Sequence, residues 1–209
     1  MASSGGAVLD YLPILSAAER VSIEPVAWPR LLEFAHGRKH ARVALAQLGL
    51  ACASMPMATD RSPLWPPGFI GSISHVPADP LHNQNGQVVA VVARAGNCNG
   101  LGVDLERTRL LQPENWNAYL TKEELKSLAL RPVTQRSVVA HALWSAKEAS
   151  MKAWRQPLEA HDIEIRLQDD DHAFVAEYRA PRLNCATSRP VLSGRISYAE
   201  GWVAALAMW

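Results

Sequence analysis

The sequence has few cysteines and lacks any long apolar run, and each shortage excludes a class of protein. Three cysteines occur in 209 residues, far apart and outside any Cys-x-x-Cys pair, at positions Cys52, Cys98 and Cys185. Neither a disulfide framework nor a thiolate zinc site is expected, so the reducing cytoplasm is the expected compartment. No run of about 18 apolar residues is present, and the N-terminal stretch lacks the basic flank of a secretory signal. We therefore expect no membrane partner.

An excess of charge of either sign is also missing. Lys and Arg number 21 against 20 Asp and Glu, a formal net charge of +1, which argues against a nucleic-acid partner. Hydrophobic residues make up 48% and charged residues 20%, proportions typical of a folded soluble protein rather than a disordered one. A chain of this length buries a sizeable core in one or two domains without metal or disulfide support.

Helical and extended patterns alternate in both halves of the chain. Apolar periodicity predicts helices over residues 30–48 and 133–154, and the spacing of Thr121 and Glu124 predicts a capping box that starts a further helix. Apolar runs predict strands over residues 69–74, 87–93, 101–106, 163–167, 173–178, 191–198 and 202–209. We expect an α+β fold of two similar lobes, residues 1–107 and 108–209, in which the first three strands form an antiparallel meander.

The sequence GVDLE at residues 102–106 places two carboxylates on one predicted strand. Side chains alternate along a strand, so Asp104 and Glu106 point to the same face. Two carboxylates one strand repeat apart can bind a hard cation such as Mg²⁺ through oxygen. The alternative is a strand end with a solvated acidic face.

The sequence WSAKEA at residues 144–149, inside the second long helix, adds a third carboxylate next to a cation. Lys147 is suited to contact a phosphate or to transfer a proton, and Glu148 lies one helical turn after Trp144. The alternative is that Lys147 and Glu148 are ordinary exposed residues of a helix.

Side chains that bind phosphate are concentrated in the first half. In GSISH at residues 71–75, Ser74 and His75 can donate to a phosphate, although a lone histidine is more often a packing residue. The guanidinium groups of Arg38, Arg42 and Arg61 suit phosphate oxygens, and the alternative for them is a solvated basic face. Because the Ser-His-acid features of a nucleophile elbow are missing, a hydrolase triad is excluded.

These motifs, together and in this order, resemble those of the 4′-phosphopantetheinyl transferases. The resemblance is to their two-lobed, pseudo-dimeric type, which activates nonribosomal peptide and polyketide synthases, and most of all to the enterobactin-synthetase branch. The stretches that carry it are GRKHAR at 37–42, RSPLWP at 61–66, GSISH at 71–75, GVDLE at 102–106 and WSAKEA at 144–149. They anchor residues 30–155, and the last two are the most specific. Residues 107–133, where the family helps to dock its carrier protein, carry no matching motif.

This resemblance implies a reaction and a site. The family transfers the 4′-phosphopantetheine arm of coenzyme A to a serine of an apo acyl or peptidyl carrier protein and releases 3′,5′-ADP. It implies Mg²⁺ bound by Asp104, Glu106 and Glu148, in an active site at the interface of the two lobes. By the same resemblance, Ser74 and His75 hold the 3′-phosphate of coenzyme A. Four basic residues help to bind the same ligand: Lys147, Arg38, Arg42 and Arg61.

Several alternatives stay open at this point. Phosphoryl transfer requires charge neutralisation and alignment, and Glu148 is the preferred base, directly or through a water, with Lys147 as its competitor. A non-catalytic protein that binds coenzyme A or a carrier, and a Mg²⁺-dependent phosphohydrolase, are alternative functions. We expect a monomer, and Mn²⁺ could replace Mg²⁺. Leu125, Leu128 and Met151 are candidates for an apolar carrier-docking patch, although their helical spacing favours the core.

Overall fold

The chain divides into two units, Met1–Asn97 and Cys98–Trp209. The structure, a computed structural model, describes residues 14–23, 27–51, 54–78, 86–108, 111–156, 158–179 and 191–209. Two of the three cysteines, Cys52 and Cys185, lie outside the described residues. None of the described helices combines the length and the apolar character that a membrane span requires.

Among its described residues, the first unit has two helices and a two-stranded antiparallel sheet. Its elements are α1 (Ala17–Ile23), α2 (Trp28–Gln47), β1 (Phe69–Val76) and β2 (Gln87–Arg94). Helix α2 begins at a first turn that contains Pro29, whose fixed backbone angle suits that position, and ends before Gly49, whose φ of 84° is left-handed. Strands β1 and β2 pair along their whole length, so that Ser74 lies opposite Val89.

The second unit packs one long helix against a five-stranded antiparallel sheet. Its elements are β3 (Leu101–Arg107), α3 (Trp116–Tyr119), α4 (Lys122–Ala129), α5 (Val133–Trp154), β4 (Ile163–Gln168), β5 (Ala173–Tyr178), β6 (Val191–Ala199) and β7 (Trp202–Met208). The strand order is β3-β7-β6-β5-β4. Alanines of α5 and β7 are prominent in the core, which lets helix and sheet approach closely: Ala142, Ala146, Ala149, Ala153, Ala205 and Ala207.

Strand β3 corrects the predicted topology. The predicted meander of the first three strands is wrong, because β3 pairs with β7, with Asp104 opposite Ala205 and Glu106 opposite Val203. The division of the structure between Asn97 and Cys98 places β3 in the second unit, whereas the predicted lobes separate after residue 107. Alternation along a strand predicts the strand but not its partner, which here lies about a hundred residues further along the chain. The predicted α+β class is confirmed.

The two units repeat a pair of helices at a constant spacing of 105 residues. Helices α1 and α4 begin at residues 17 and 122, and helices α2 and α5 begin at residues 28 and 133. Buried apolar positions recur at the same spacing: Leu15 and Leu120, Ala35 and Ala140, Ala41 and Ala146. The predicted similarity of the lobes therefore holds for this helix pair. The sheets differ over the described ranges, which contain two paired strands in the first unit and five in the second.

Candidate functional site

Strand β3 turns a row of side chains towards helix α5. Gly102, Asp104 and Glu106 share one face of the strand because successive side chains alternate. A Cβ atom on Gly102 would overlap the backbone of Ala149, so only glycine allows the strand to come this close to the helix. The close approach at Gly102 places the two carboxylates that follow it beside the same helix.

Three side chains of α5, spaced four residues apart, face these carboxylates: Trp144, Glu148 and Lys152. The Nζ atom of Lys152 lies 2.6 Å from Oδ1 of Asp104. The indole Nε1 of Trp144 donates a hydrogen bond to Oε1 of Glu106 at 3.0 Å. Glu148 lies between Trp144 and Lys152 along the helix. The two most specific sequence motifs therefore lie side by side, with Lys152 next to them. We call Asp104, Glu106, Glu148 and Lys152 the carboxylate cluster.

Burial and mutual repulsion make the carboxylate cluster difficult to ionise fully. Burial raises the pKa of Glu106 to about 7, the charge of Asp104 adds to the shift, and the hydrogen bond from Trp144 opposes it. Burial also raises the pKa of Glu148, with Lys152 opposing this shift and Asp104 adding to it. A nearby negative charge raises the pKa of a carboxyl group, and a nearby cation has the opposite effect. The cluster is therefore a place where additional positive charge is stabilised.

The donor atoms of this cluster suit a hard divalent cation. Carboxylate oxygens are the ligands that Mg²⁺ and Mn²⁺ prefer. In the part of the chain that the structure describes, no three Asp, Glu, His or Cys side chains are arranged so that they could hold a metal ion, and this includes the three carboxylates of the cluster. Asp104 pairs instead with Lys152. The chemistry of Asp104, Glu106 and Glu148 fits a cation, and their role as metal ligands stays a prediction.

Lys147 lies outside this cluster, although it precedes Glu148 in the chain. Its side chain is 0% exposed, and its Nζ lies 2.8 Å from Oε2 of Glu124. The ammonium also donates to the carbonyl oxygens of Ala160 at 2.7 Å and Ile163 at 2.8 Å. These three acceptors satisfy the three N–H donors of a lysine. Burial lowers the pKa of Lys147, and Glu124 opposes the shift. Contact with a coenzyme A phosphate, or service as a base, would require this enclosed pair to open.

Two of the predicted phosphate-binding arginines make contacts within the first unit. Arg38 is 4% exposed, donates through Nε to the Met55 carbonyl and places its guanidinium 4.1 Å from the centre of the Phe34 ring. Burial lowers its pKa to about 10. Arg42 pairs with the fully buried Glu19 and donates to the carbonyl of Ile14 at 3.0 Å. These contacts hold helix α2 to neighbouring segments. The sequence pattern predicts only phosphate binding or a solvated basic face for these two arginines.

The remaining predicted phosphate contacts differ in exposure. Ser74 is buried, whereas the side chain of His75 is 30% exposed, with its Nε2 lying 2.9 Å from Oε2 of Glu33. Arg30 donates to the same carboxylate at 3.1 Å. Arg61 is exposed in a turn and has a left-handed φ of 66°. Of the predicted basic positions, His75 and Arg61 are thus better placed than Arg38 to meet a ligand from solvent.

Two charged residues of the second unit were missed by the sequence prediction. Lys152 lies four residues after Glu148, and this spacing within a predicted helix was a signal that could have placed it on the same face. Glu124 was predicted only as part of a capping box, which the structure confirms, but its ion pair with Lys147 has no signal in local sequence.

Two protein-family models match the chain, one within each unit. The model described as the 4′-phosphopantetheinyl transferase N-terminal domain matches residues 18–78. The model of the 4′-phosphopantetheinyl transferase superfamily matches residues 100–207, which include the whole carboxylate cluster.

Two bacterial 4′-phosphopantetheinyl transferases are similar to this chain over most of its length. The 4′-phosphopantetheinyl transferase Svp of Streptomyces mobaraensis is 31% identical over 195 residues, 89% of this chain and 72% of that protein. The 4′-phosphopantetheinyl transferase Npt of Nocardia iowensis is 29% identical over 219 residues, 94% of this chain and 90% of that protein. Among solved structures, a holo-(acyl-carrier-protein) synthase from Bacillus anthracis in complex with CoA has a TM-score of 0.43 and 17% identity, over 53% of this chain and 95% of that one.

Proposed function

Because this chain belongs to the 4′-phosphopantetheinyl transferase superfamily, we propose that its carboxylate cluster catalyses Mg²⁺-dependent transfer of 4′-phosphopantetheine from coenzyme A to a carrier-protein serine. The chain is an enzyme of this class, a 4′-phosphopantetheinyl transferase. The observation that carries the assignment to this cluster is the meeting of GVDLE on β3 with WSAKEA on α5, where Trp144 donates to Glu106. Lys152, one turn after Glu148, contacts Asp104 beside them.

The reaction is a phosphoryl transfer in which the carrier serine is the nucleophile. Its hydroxyl oxygen forms a bond to the β-phosphorus of coenzyme A, and the bond from that phosphorus to the bridging oxygen breaks. The leaving group is 3′,5′-ADP, which departs with the electron pair of the broken bond. The serine proton passes to the carboxylate of Glu148. Glu148 is the proposed base because it lies on the face of α5 that carries Trp144 and Lys152, beside the carboxylates of β3.

The resident cation of this site is proposed from the chemistry of its donors. Asp104, Glu106 and Glu148 would hold it, because the charge of Asp104 acts on both glutamates and because Mg²⁺ selects oxygen ligands. When bound, Mg²⁺ supplies positive charge that neutralises the pyrophosphate of the substrate. Lys152 adds the cluster's own positive charge, and Trp144 orients Glu106 through its indole hydrogen bond.

The 3′-phosphate end of coenzyme A is assigned to residues of the first unit. We propose that Ser74, His75 and Arg61 contact it, as the family resemblance implies, and the exposure of His75 and Arg61 supports this assignment. Lys147 is not retained as the alternative base, because its ammonium is enclosed and already donates to three acceptors. For Arg38 and Arg42 we propose structural roles in place of ligand contacts, since both hold α2 to neighbouring segments.

The acceptor is proposed to be a small apo acyl or peptidyl carrier domain of a nonribosomal peptide or polyketide pathway, and the enzyme to act as a cytoplasmic monomer. Of the predicted docking side chains, Leu128 is 2% exposed, and Leu125 and Met151 pack partly buried against the core. These three residues therefore contribute mainly to the core. Exposed apolar side chains lie nearby at Leu130 and Val133.

The test is intact mass spectrometry of apo carrier proteins incubated with the enzyme, coenzyme A and Mg²⁺, with and without a chelator. We expect a chelator-sensitive gain of one phosphopantetheine on a peptidyl, polyketide or fatty-acid carrier. Asp104→Asn should abolish the gain, while Asp169→Asn, the same change at an exposed aspartate of the second unit, should not. Coenzyme A binding without transfer to any carrier would indicate the non-catalytic binder, and release of 3′,5′-ADP without a carrier would indicate the phosphohydrolase.

A further inference from the structure

A single buried carboxylate joins three elements of the second unit. Oε2 of Glu124 accepts from the backbone N–H of Thr121 at 2.7 Å and from Lys147 at 2.8 Å, while Oε1 accepts from the N–H of Ile165 at 2.8 Å. Glu124 therefore connects the start of α4, the middle of α5 and strand β4. The hydroxyl of Thr121 extends the network to Glu164 at 2.8 Å.

The first unit contains the same arrangement. Oε2 of Glu19 accepts from the backbone N–H of Ser16 at 2.8 Å and from Arg42, while Oε1 accepts from the N–H of Met55 at 2.8 Å. The hydroxyl of Ser16 lies 2.8 Å from that of Ser54, the residue before Met55. The residues of this arrangement in the first unit each lie 105 positions before their counterparts in the second unit: Ser16 and Thr121, Glu19 and Glu124, Arg42 and Lys147.

The buried ion pair occurs in both units, whereas the proposed base occurs only in the second. The position 105 residues before Glu148 is Val43, which is 52% exposed and has no carboxylate. The first unit thus keeps the cation–glutamate pair on a helix that lacks the proposed base. A cation that recurs at an equivalent position without catalytic neighbours is a feature of the scaffold, and its partner in each case is a capping-box glutamate.

We propose that Lys147 is a positioning residue, which acts with Glu124 to fix the rotation of α5 and so the direction of Glu148, and that it does not itself contact coenzyme A. The proposal rests on the proposed function of Glu148. All three N–H donors of Lys147 are directed to fixed acceptors, on α4 through Glu124 and on the segment that leads into β4 through Ala160 and Ile163. Because Glu148 follows Lys147 directly on the helix, a rotation of α5 about its axis at Lys147 also changes the direction of the Glu148 side chain.

The test compares Lys147→Met, Glu124→Gln and the double variant in steady-state transfer, coenzyme A binding calorimetry and thermal unfolding. Misalignment of a reacting group by about 1 Å lowers a rate on the order of 100-fold, so each single variant should lose about that factor in kcat. The dissociation constant for coenzyme A should stay within about threefold of wild type. Each single change leaves one buried charge without its partner, and the double variant leaves none, so it should recover at least about tenfold in kcat over Lys147→Met.

The matched control is Lys126→Met, which removes a lysine from an exposed i,i+3 pair with Glu123 on α4 and should leave all three readouts unchanged. Coenzyme A affinity that falls more than about tenfold in Lys147→Met, without recovery in the double variant, would show direct ligand contact and overturn the proposal. So would a lowered melting temperature with unchanged kcat, which is the signature of a purely structural pair. Absence of transfer by the wild-type enzyme would overturn the proposed function, and the positioning role with it.

Discussion

The long helices of the two units bury the same kind of ion pair but present different outer faces. Helix α2 pairs Arg42 with Glu19, and helix α5 pairs Lys147 with Glu124, in each case at a capping-box glutamate. Only α5 also carries Glu148 and Lys152 towards two strand carboxylates. The inner contacts of the helix pair are therefore a shared scaffold. The proposed catalytic side chains are found on one face of α5, and α2 does not have them.

Removing the proposed base is the strongest way to separate scaffold from chemistry. Glu148→Gln keeps the size of the side chain but cannot accept the serine proton, so transfer should fall at least about a thousandfold. Because the buried pair of Lys147 is untouched, the melting temperature should stay within a few degrees of wild type. Single-turnover transfer to an apo carrier, followed by intact mass spectrometry, measures the first quantity and calorimetry the second. Retention of more than a tenth of the activity would remove Glu148 from the base role.

Two glycines test how closely each unit packs against its long helix. Gly102→Ala would drive a Cβ into the backbone of Ala149, and overpacking at a rigid contact should cost about 3 kcal/mol of unfolding free energy. Gly37→Ala on α2 would meet the Ile73 side chain at 3.1 Å, a contact that can shift, and alanine is the better helix former. Position 142, the counterpart of Gly37, is already alanine. Urea unfolding should therefore show Gly37→Ala within about 1 kcal/mol of wild type, and a larger loss there would contradict the equivalence.

The raised pKa of Glu106 predicts a pH-dependent stability that the first unit does not share. A carboxyl whose pKa is about 7 when folded contributes stability that is present below its ordinary value of 4.5 and is lost as the pH rises through 7. Without added metal, Glu106→Gln should raise the free energy of unfolding at pH 8 by about 2 kcal/mol and have little effect at pH 4. The measurement is denaturant unfolding of both proteins in chelator across this range. A stability difference that is the same at both pH values would show that Glu106 ionises normally.

Exchanging the cation of the first unit for that of the second is the smallest perturbation. Arg42→Lys retains the charge beside Glu19 but gives up the donor to Ile14, so it should cost about 1 kcal/mol, the contribution of one hydrogen bond. Transfer measured at saturating coenzyme A should be unaffected, because the substitution preserves the scaffold. A rise in the KM for coenzyme A with unchanged stability would restore Arg42 to the ligand-binding set.

Much of the local structure was accessible from sequence because it depends on neighbours in the chain. The capping box at Thr121 and Glu124, the helix over residues 133–154 and the strand over residues 173–178 were all predicted with their observed limits. The carboxylates of the cluster were also named from residue type and motif. Strand and helix periodicity predicts which side chains share a face, and this information is local.

The roles of the basic residues were not accessible in the same way. Arg38, Arg42 and Lys147 are residue types that bind phosphate, yet each donates a hydrogen bond to a backbone carbonyl at least 13 residues distant. Whether a charged side chain faces solvent or an internal acceptor depends on which segments pack around it. Residue type alone therefore could not separate Lys147 from Lys152, which lie five positions apart on one helix.

Turn signals, periodicity and residue type act over a few neighbouring positions. For that reason the α+β class, the residue types of the site and most helices and strands follow from the sequence, although the short helices α1 and α3 were not predicted. Three features became clear only in the folded chain: β3 pairs with β7, Lys152 rather than Lys147 lies beside Asp104, and two glutamates 105 residues apart pair with equivalent cations. The physical reason is that strand partners and buried ion pairs are selected by packing and desolvation across the whole unit. No single segment of the chain contains that information.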